Sequence, residues 1–134
     1  MSAQIISGRD IAGDIRAELK KIVGQLSAGG LIPGLATVLV GEDPASQLYV
    51  DMKNKAAGDM GINSRQITLP VDTPEAELLG VIVGLNADPE IHGILVQLPL
   101  PEHISESVVI ETIDPRKDVD GFHPISVGRI ATDT

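Results

Sequence analysis

The stretch Leu35-Ala-Thr-Val-Leu-Val40, followed at once by Gly41-Glu-Asp-Pro44, decides the fold of this chain. Its first part is a nearly continuous apolar run of strand length, which is typical of a parallel strand covered on both faces. Asp43 is a suitable N-cap, and Pro44 suits the first position of a helix. We therefore predict a buried strand that turns directly into a helix running to about Gly61. Four apolar residues of that helix are expected to face inward: Ala45, Leu48, Met52 and Ala56.

Strand-like and helix-like segments alternate along the rest of the chain. Residues 3–6 suggest a short strand, and a helix opened by Ser7 and stopped by Gly29-Gly30 carries apolar residues at helical spacing. Further strands are predicted over 64–69 and 93–98, with a helix between them that Thr73-Pro74 caps. A weaker helix covers roughly 105–113, and the turn-rich segment from Asp114 to Pro124 is predicted to be a loop.

This alternation predicts an α/β fold: an open, mainly parallel sheet of βαβ units with flanking helices. In such sheets, ligands bind beyond the carboxyl ends of the strands. Three distant segments should therefore meet at one edge of the sheet: the Gly41–Pro44 turn leading to Tyr49, Gln97 with its prolines, and the loop around Asp120.

Composition restricts the class of protein. The length of 134 residues suits one domain, and 43% hydrophobic with 22% charged residues is typical of globular proteins. A net charge of −9 without a basic cluster argues against nucleic-acid partners. The chain has no cysteine, and it lacks an apolar run of about 20 residues or a basic leader, so we expect no membrane segment and a cytoplasmic location.

Tyr49 and Lys53 are the first candidate site residues. They are one helical turn apart and so share a helix face, and Tyr49 is the only tyrosine. The ring can stack on a flat ligand beside an amine that exchanges protons, provided that the amine is partly buried. A solvated surface lysine is the alternative, and we expect it for Lys55 more than for Lys53.

Polar residues in the other two segments have two interpretations each. Gln97 ends an apolar strand, where it either satisfies loop backbone or holds a ligand or the lysine amine. Asp118 and Asp120 either form a turn before Gly121 or offer a carboxylate to an amidine-like edge. The three histidines are too widely spaced for a local metal motif, so we predict no metal site. The sequence also contains no dinucleotide-binding fingerprint.

Three motifs carry a family resemblance. They are Val40-Gly-Glu-Asp-Pro-Ala-Ser-Gln-Leu-Tyr-Val-Asp-Met-Lys-Asn-Lys-Ala56, Gly93-Ile-Leu-Val-Gln-Leu-Pro-Leu-Pro101 and Lys117-Asp-Val-Asp-Gly-Phe-His-Pro124. In this order they resemble the bifunctional methylenetetrahydrofolate dehydrogenase/methenyltetrahydrofolate cyclohydrolase family. The resemblance implies NADP-dependent oxidation of methylenetetrahydrofolate to methenyltetrahydrofolate and its hydrolysis to formyltetrahydrofolate, in one-carbon metabolism, by a homodimer.

The resemblance also implies roles for individual residues. Lys53 matches a catalytic lysine, and Gln97 matches the glutamine that contacts it. Tyr49 matches a tyrosine that stacks on the aminobenzoyl region of folate, and Asp120 matches an aspartate that binds the pterin edge. The remaining matches line the folate cleft: Ser46, Leu98 and Pro99.

Two departures from the family pattern matter. Members usually have Asn where this chain has Ser126. They also continue beyond the position of Thr134 into a Rossmann-type cofactor domain and a returning helix. We therefore expect residues 1–134 to be the folate-binding catalytic domain, with NADP bound elsewhere. The alternatives are a standalone folate-binding module without turnover and an α/β interaction domain that keeps the cleft residues only as relics.

Overall fold

The computed structural model describes residues 5–132 of the chain. Five helices and three strands lie in this part, and the first four helices alternate with the strands as the sequence predicts. The helices are α1 (Gly8–Ala28), α2 (Pro44–Asp59), α3 (Glu75–Ala87), α4 (Glu106–Thr112) and α5 (Pro124–Thr132). The strands are β1 (Gly34–Val40), β2 (Asn63–Leu69) and β3 (Gly93–Val96), and they form a parallel sheet in the order β2-β1-β3. The predicted α/β class and parallel sheet are confirmed.

The main hydrophobic core lies on one face of the sheet. Ala36, Val38 and Val40 of β1 point to this face, because alternate residues of a strand share a side. They pack with apolar residues of α3, β3 and α4, among them Leu78, Ile82, Leu85, Ile94, Val96 and Val109. β1 is therefore the central, doubly covered strand that its continuous apolar sequence predicts.

The opposite face of the sheet carries α2, and here the predicted inward residues are wrong. Leu48 and Met52 are 60% and 58% exposed, Ala45 is exposed and Ala56 is half-buried. The buried residues are instead Ser46, Val50 and Ala57. Apolar residues occur on both sides of this helix, so hydropathy alone does not identify the buried face. The start of the helix is as predicted, with Asp43 as N-cap and a proline in the first turn.

Several other boundaries differ from the sequence prediction. Of the strand predicted at 3–6, residues 3 and 4 lie outside the described residues, and Ile5 and Ile6 are not in a strand. β3 ends at Val96, two residues early, and the N-cap of α3 is Pro74, without a side-chain cap from Thr73. The sequence pattern does not predict α5, which begins with Pro124 directly after the turn-rich segment. Proline suits the first position of a helix, but here it follows a run of turn residues that indicates a loop.

The long helix α1 begins and ends as predicted. Ser7 caps its start by accepting a hydrogen bond from the Asp10 backbone N–H, and Gly29 and Gly30 follow its end. Val23 is its only buried residue, whereas the predicted apolar stripe is exposed: Ile11, Ile15, Leu19, Ile22 and Leu26. No helix between residues 5 and 132 is long and apolar enough to cross a membrane.

Candidate functional site

The three segments predicted to meet do lie at the carboxyl edge of the sheet. β1 leads through Gly41, which has a positive φ of 93° and whose N–H bonds the Leu69 oxygen at 2.8 Å, into α2. Gln97 follows β3 directly, and its backbone N–H still donates to Val38 at 2.8 Å. Residues 117–118 add a parallel bridge beside Ile94, whose N–H donates to the Lys117 oxygen at 2.7 Å. Backbone hydrogen bonds to the sheet thus locate all three segments.

Lys53 and Gln97 are in direct contact. The Lys53 Nζ donates to the Gln97 Oε1 at 3.2 Å, although the two residues are 44 apart in sequence. The Gln97 Nε2 donates to the Leu98 oxygen at 2.8 Å, which turns the amide oxygen toward the amine. Both side chains are half-buried, whereas Lys55 is exposed. This arrangement can hold an amine at a fixed place beside solvent, which is what a proton-transfer group requires.

Tyr49 lies one turn before Lys53 on α2, and the residue is 57% exposed. Its ring is therefore available to a ligand at the same edge of the sheet. Rings of this kind stack on other aromatic systems with a gain beyond that of burial alone. The structure brings Tyr49 and Lys53 to one helix face, as their spacing predicts.

Asp118 and Asp120 have different surroundings, which the sequence did not distinguish. Asp118 accepts hydrogen bonds from the backbone N–H groups of Gly121 and His123 at 3.0 and 2.9 Å. Partial burial acts to raise the pKa of Asp118, but these bonds and one from the Ser126 hydroxyl lower it overall. Asp118 is therefore the turn former, and Ser126 supports it from α5.

Asp120 is the free carboxylate of the loop. No group among residues 5–132 donates a hydrogen bond to it, and the residue is exposed. Desolvation of the carboxyl raises the pKa of Asp120, the positive charge of Lys53 opposes the rise, and the negative charge of Asp118 adds to it. Asp120 therefore interacts electrostatically with Lys53, and its carboxylate oxygens are available to a ligand.

The cleft-lining candidates lie at the same edge but differ in accessibility. Ser46 is buried, and its backbone N–H donates to Asp43 at 2.8 Å; this bond and one from its hydroxyl lower the pKa of Asp43. Leu98 is half-buried and Pro99 exposed, joined by a cis peptide bond. Leu98, Asp120 and Phe122 line a narrow cleft of about 10 Å³, the room of a single water molecule. Phe122 is thus a neighbour of Asp120 that the sequence pattern does not indicate.

The histidines and Lys117 have structural partners. His92 accepts from the Gly34 N–H at 3.0 Å, His103 bonds the Thr73 oxygen at 2.8 Å, and His123 accepts from Ile125 at 3.1 Å. The Lys117 amine donates to two carbonyls at the end of α3. Within residues 5–132, no group of three or more His, Asp or Glu side chains could hold a metal ion.

A larger open groove of about 680 Å³ lies at the opposite, amino edge of the sheet. Apolar residues and glycines make up most of its lining, and its polar members are Asn63, Glu90 and His92. None of the candidate catalytic residues lies there. The chemistry of Lys53, Gln97 and Asp120 therefore favours the carboxyl edge as the site, despite its smaller cavity.

The described residues do not fit a dinucleotide cofactor. Pyrophosphate binds helix N-termini through free N–H groups and the positive end of the helix dipole. Here the Asp43 carboxylate already accepts from the first turn of α2, while α3 begins with Glu75 and Glu77 and α4 begins with Glu106. Negative charge at each helix that follows a strand would repel a phosphate.

Comparisons with known proteins agree with this fold. Residues 6–120 match the family model of the tetrahydrofolate dehydrogenase/cyclohydrolase catalytic domain. The bifunctional protein FolD of Geobacillus thermodenitrificans is 60% identical over 130 residues, which are 97% of this chain and 46% of that protein. Among solved structures, the FolD methylenetetrahydrofolate dehydrogenase/cyclohydrolase of Campylobacter jejuni is 46% identical with a TM-score of 0.92, over 93% of this chain and 44% of that one.

A further solved relative is the Trypanosoma brucei methylenetetrahydrofolate dehydrogenase-cyclohydrolase, in complex with NADP and an inhibitor. It is 37% identical, with a TM-score of 0.91 over 97% of this chain and 45% of that one. The chain thus spans slightly less than half the length of the relatives that it matches. The family match covers most of the chain, and so the chain belongs to the tetrahydrofolate dehydrogenase/cyclohydrolase family, of which it carries the catalytic domain.

Proposed function

We propose that residues 1–134 form the folate-binding catalytic domain of an enzyme that oxidises methylenetetrahydrofolate to methenyltetrahydrofolate with NADP and hydrolyses the product to formyltetrahydrofolate. The observation that carries the proposal is the 3.2 Å contact between the Lys53 amine and the Gln97 amide oxygen at the carboxyl edge of the sheet. The names of the relatives, bifunctional FolD proteins, support the pair of activities.

The hydrolytic step needs one group that moves a proton twice. The methenyl carbon of the substrate lies between two nitrogens that share a positive charge, so water can add to it. In the proposal, the Lys53 amine, once it has released its own proton to solvent, takes a proton from the attacking water as the C–O bond forms. It returns that proton to the nitrogen whose bond to carbon then breaks, while the proton of the new hydroxyl passes to solvent as the formyl C=O forms. Gln97 holds the amine in place by accepting its hydrogen bond.

The remaining site residues orient the substrate. Tyr49 stacks on the aminobenzoyl ring of the folate, since its side chain is exposed beside Lys53. Asp120 accepts the paired N–H groups of the pterin edge, because a carboxylate matches two parallel donors. Ser46 supports the Asp43 cap at the start of α2. Leu98 forms an apolar wall beside Asp120, and Pro99 follows it in the same loop.

The oxidation step needs a nicotinamide that accepts a hydride from the methylene carbon. Because the described residues do not fit a dinucleotide, the proposal assigns NADP to residues outside this sequence. We also propose a homodimer in the cytoplasm for the enzyme that contains this domain. The absence of cysteine from the chain and the soluble nature of tetrahydrofolate substrates are consistent with that compartment.

The test is a chimaera in which this chain replaces the matching half of the Geobacillus thermodenitrificans FolD. The decline in absorbance of methenyltetrahydrofolate reports hydrolysis, and NADPH formation reports oxidation. We expect both activities, at rates near those of the relative. Tetrahydrofolate binding by the 134-residue chain, together with an inactive but well-folded chimaera, would instead identify a binding module without turnover.

Folate binding by the chain should depend on pH through Asp120. The carboxylate must be ionised to accept the pterin N–H groups, and its pKa is raised in the folded chain. As the pH falls, tetrahydrofolate affinity should therefore begin to weaken at a higher pH than for an ordinary aspartate, and it should be full above that range. Isothermal titration calorimetry from neutral to mildly acidic pH measures this. Asp120→Asn should bind weakly at every pH in this range; an unchanged pH profile in that variant would assign the dependence to another group.

A further inference from the structure

The helix α2 has little apolar packing to fix its position. Of its 16 residues, only Ser46, Val50 and Ala57 are buried, and the largest of these side chains is a valine. Small contacts of this kind resist rotation or sliding of a helix less than interlocked large side chains do. A specific orientation of α2 therefore requires additional contacts.

Asn54 supplies such contacts to two strands. Its Oδ1 accepts hydrogen bonds from the Thr37 hydroxyl of β1 at 3.0 Å and from the Ser64 hydroxyl of β2 at 2.6 Å. Its Nδ2 donates to the Gln66 Oε1 at 2.7 Å. Thr37 is fully buried at the centre of the sheet. Hydrogen bonds are directional, so three of them to two strands fix the rotation and the height of the helix at this residue.

The position of the Lys53 amine depends on this anchor. Successive residues of a helix are about 100° apart, so a helix whose residue 54 faces β1 and β2 directs residue 53 to one side. On that side lies Gln97, which is held independently of α2: its backbone N–H donates to Val38, and its Nε2 donates to Leu98, both at 2.8 Å. The acceptor is thus fixed on the sheet, whereas the donor is fixed on the helix.

We propose that Asn54 is a positioning residue for Lys53, which sets the distance between the Lys53 amine and the Gln97 amide by anchoring α2 to β1 and β2. The inference rests on the proposed function of Lys53 for its catalytic consequence, although the geometric effect does not depend on it. Misplacement of a reacting group by about 1 Å can cost about 100-fold in rate. A partial loss of the anchor should therefore reduce turnover more than substrate affinity.

The experiment compares Asn54→Leu with Asn86→Leu. Both remove a part-buried asparagine whose side chain makes at least two hydrogen bonds, but those of Asn86 go to Thr112 and Asp114, remote from α2. In the 134-residue chain, the NMR signals of the Gln97 side-chain amide, assigned by their loss in Gln97→Ala, should shift in Asn54→Leu and not in Asn86→Leu. In the chimaera, Asn54→Leu should lower kcat for hydrolysis by about tenfold with KM nearly unchanged.

Two results would contradict the proposed role of Asn54. If Asn54→Leu folds and leaves both the Gln97 amide signals and kcat unchanged, as expected of Asn86→Leu, the proposal is wrong. If Asn54→Leu does not fold, Thr37→Val removes one hydrogen bond without changing side-chain shape, and unshifted Gln97 signals in that variant overturn the proposal as well. Activity of Lys53→Met would refute the function of Lys53 separately, because the NMR comparison does not require turnover.

Discussion

Replacement of Lys53 by methionine should lower methenyltetrahydrofolate hydrolysis in the chimaera by about 10²–10⁴-fold, the usual contribution of a positioned proton-transfer group. Methionine keeps most of the length and the apolar stem of lysine but cannot carry a proton. Among residues 5–132, the amine is also the only donor to the Gln97 Oε1, and it is a half-buried group at the carboxyl edge of the sheet. Initial rates at saturating substrate measure the loss.

Lys55→Met is the matched control for this prediction. Lys55 is exposed, and it lies about 200° around α2 from Lys53, away from Gln97. We expect its replacement to change the rate less than twofold, as is usual for a solvated surface charge. Equal losses in the two variants would mean that general charge, rather than the Lys53 amine, supports hydrolysis.

Gly34→Ala is expected to lower the free energy of unfolding by at least about 3 kcal/mol. A Cβ at Gly34 would clash with the Glu90 backbone oxygen, which no side-chain rotation can relieve. The clash would also disturb two hydrogen bonds that join Gly34 and His92, of 3.0 and 2.8 Å. Denaturant unfolding followed by circular dichroism, at equal protein concentration, measures the change.

Gly13→Ala is the comparison for that substitution. Gly13 lies inside α1, where a Cβ would have no neighbour within 4 Å. Alanine favours the helical backbone, so the variant should be more stable by about 0.5–1 kcal/mol. A similar loss in both variants would show that glycine itself, rather than the Glu90 oxygen, determines the effect at Gly34.

The order of strands and helices could be predicted from the sequence because each signal was local. The apolar run 35–40 indicated a strand buried on both faces, and Asp43 with Pro44 indicated the start of α2. The buried face of α2 could not be predicted in the same way. It depends on the partners of Asn54, and a hydropathy pattern does not reveal that a polar side chain finds hydroxyl groups on two strands.

The sequence identifies the residues of the candidate site better than it identifies their contacts. Topology placed Lys53, Gln97 and the 118–120 loop at one edge, and the structure joins the first two directly. The sequence could not separate Asp118 from Asp120, since both lie in the turn-forming segment before Gly121. Only the three-dimensional turn shows that Asp118 accepts the loop N–H groups and leaves Asp120 to a ligand.

Main-chain hydrogen bonds hold the three segments of the site to the sheet. The Gly41 N–H bonds Leu69, the Gln97 N–H bonds Val38 and the Ile94 N–H bonds Lys117. Such bonds do not depend on the identity of the side chains at Gln97 and Ile94, whereas the positive φ at Gly41 favours glycine. Over evolutionary time, surrounding residues can therefore be exchanged while the spacing between an amine, an amide and a carboxylate persists, and selection on the active chemistry needs to preserve only a few side chains.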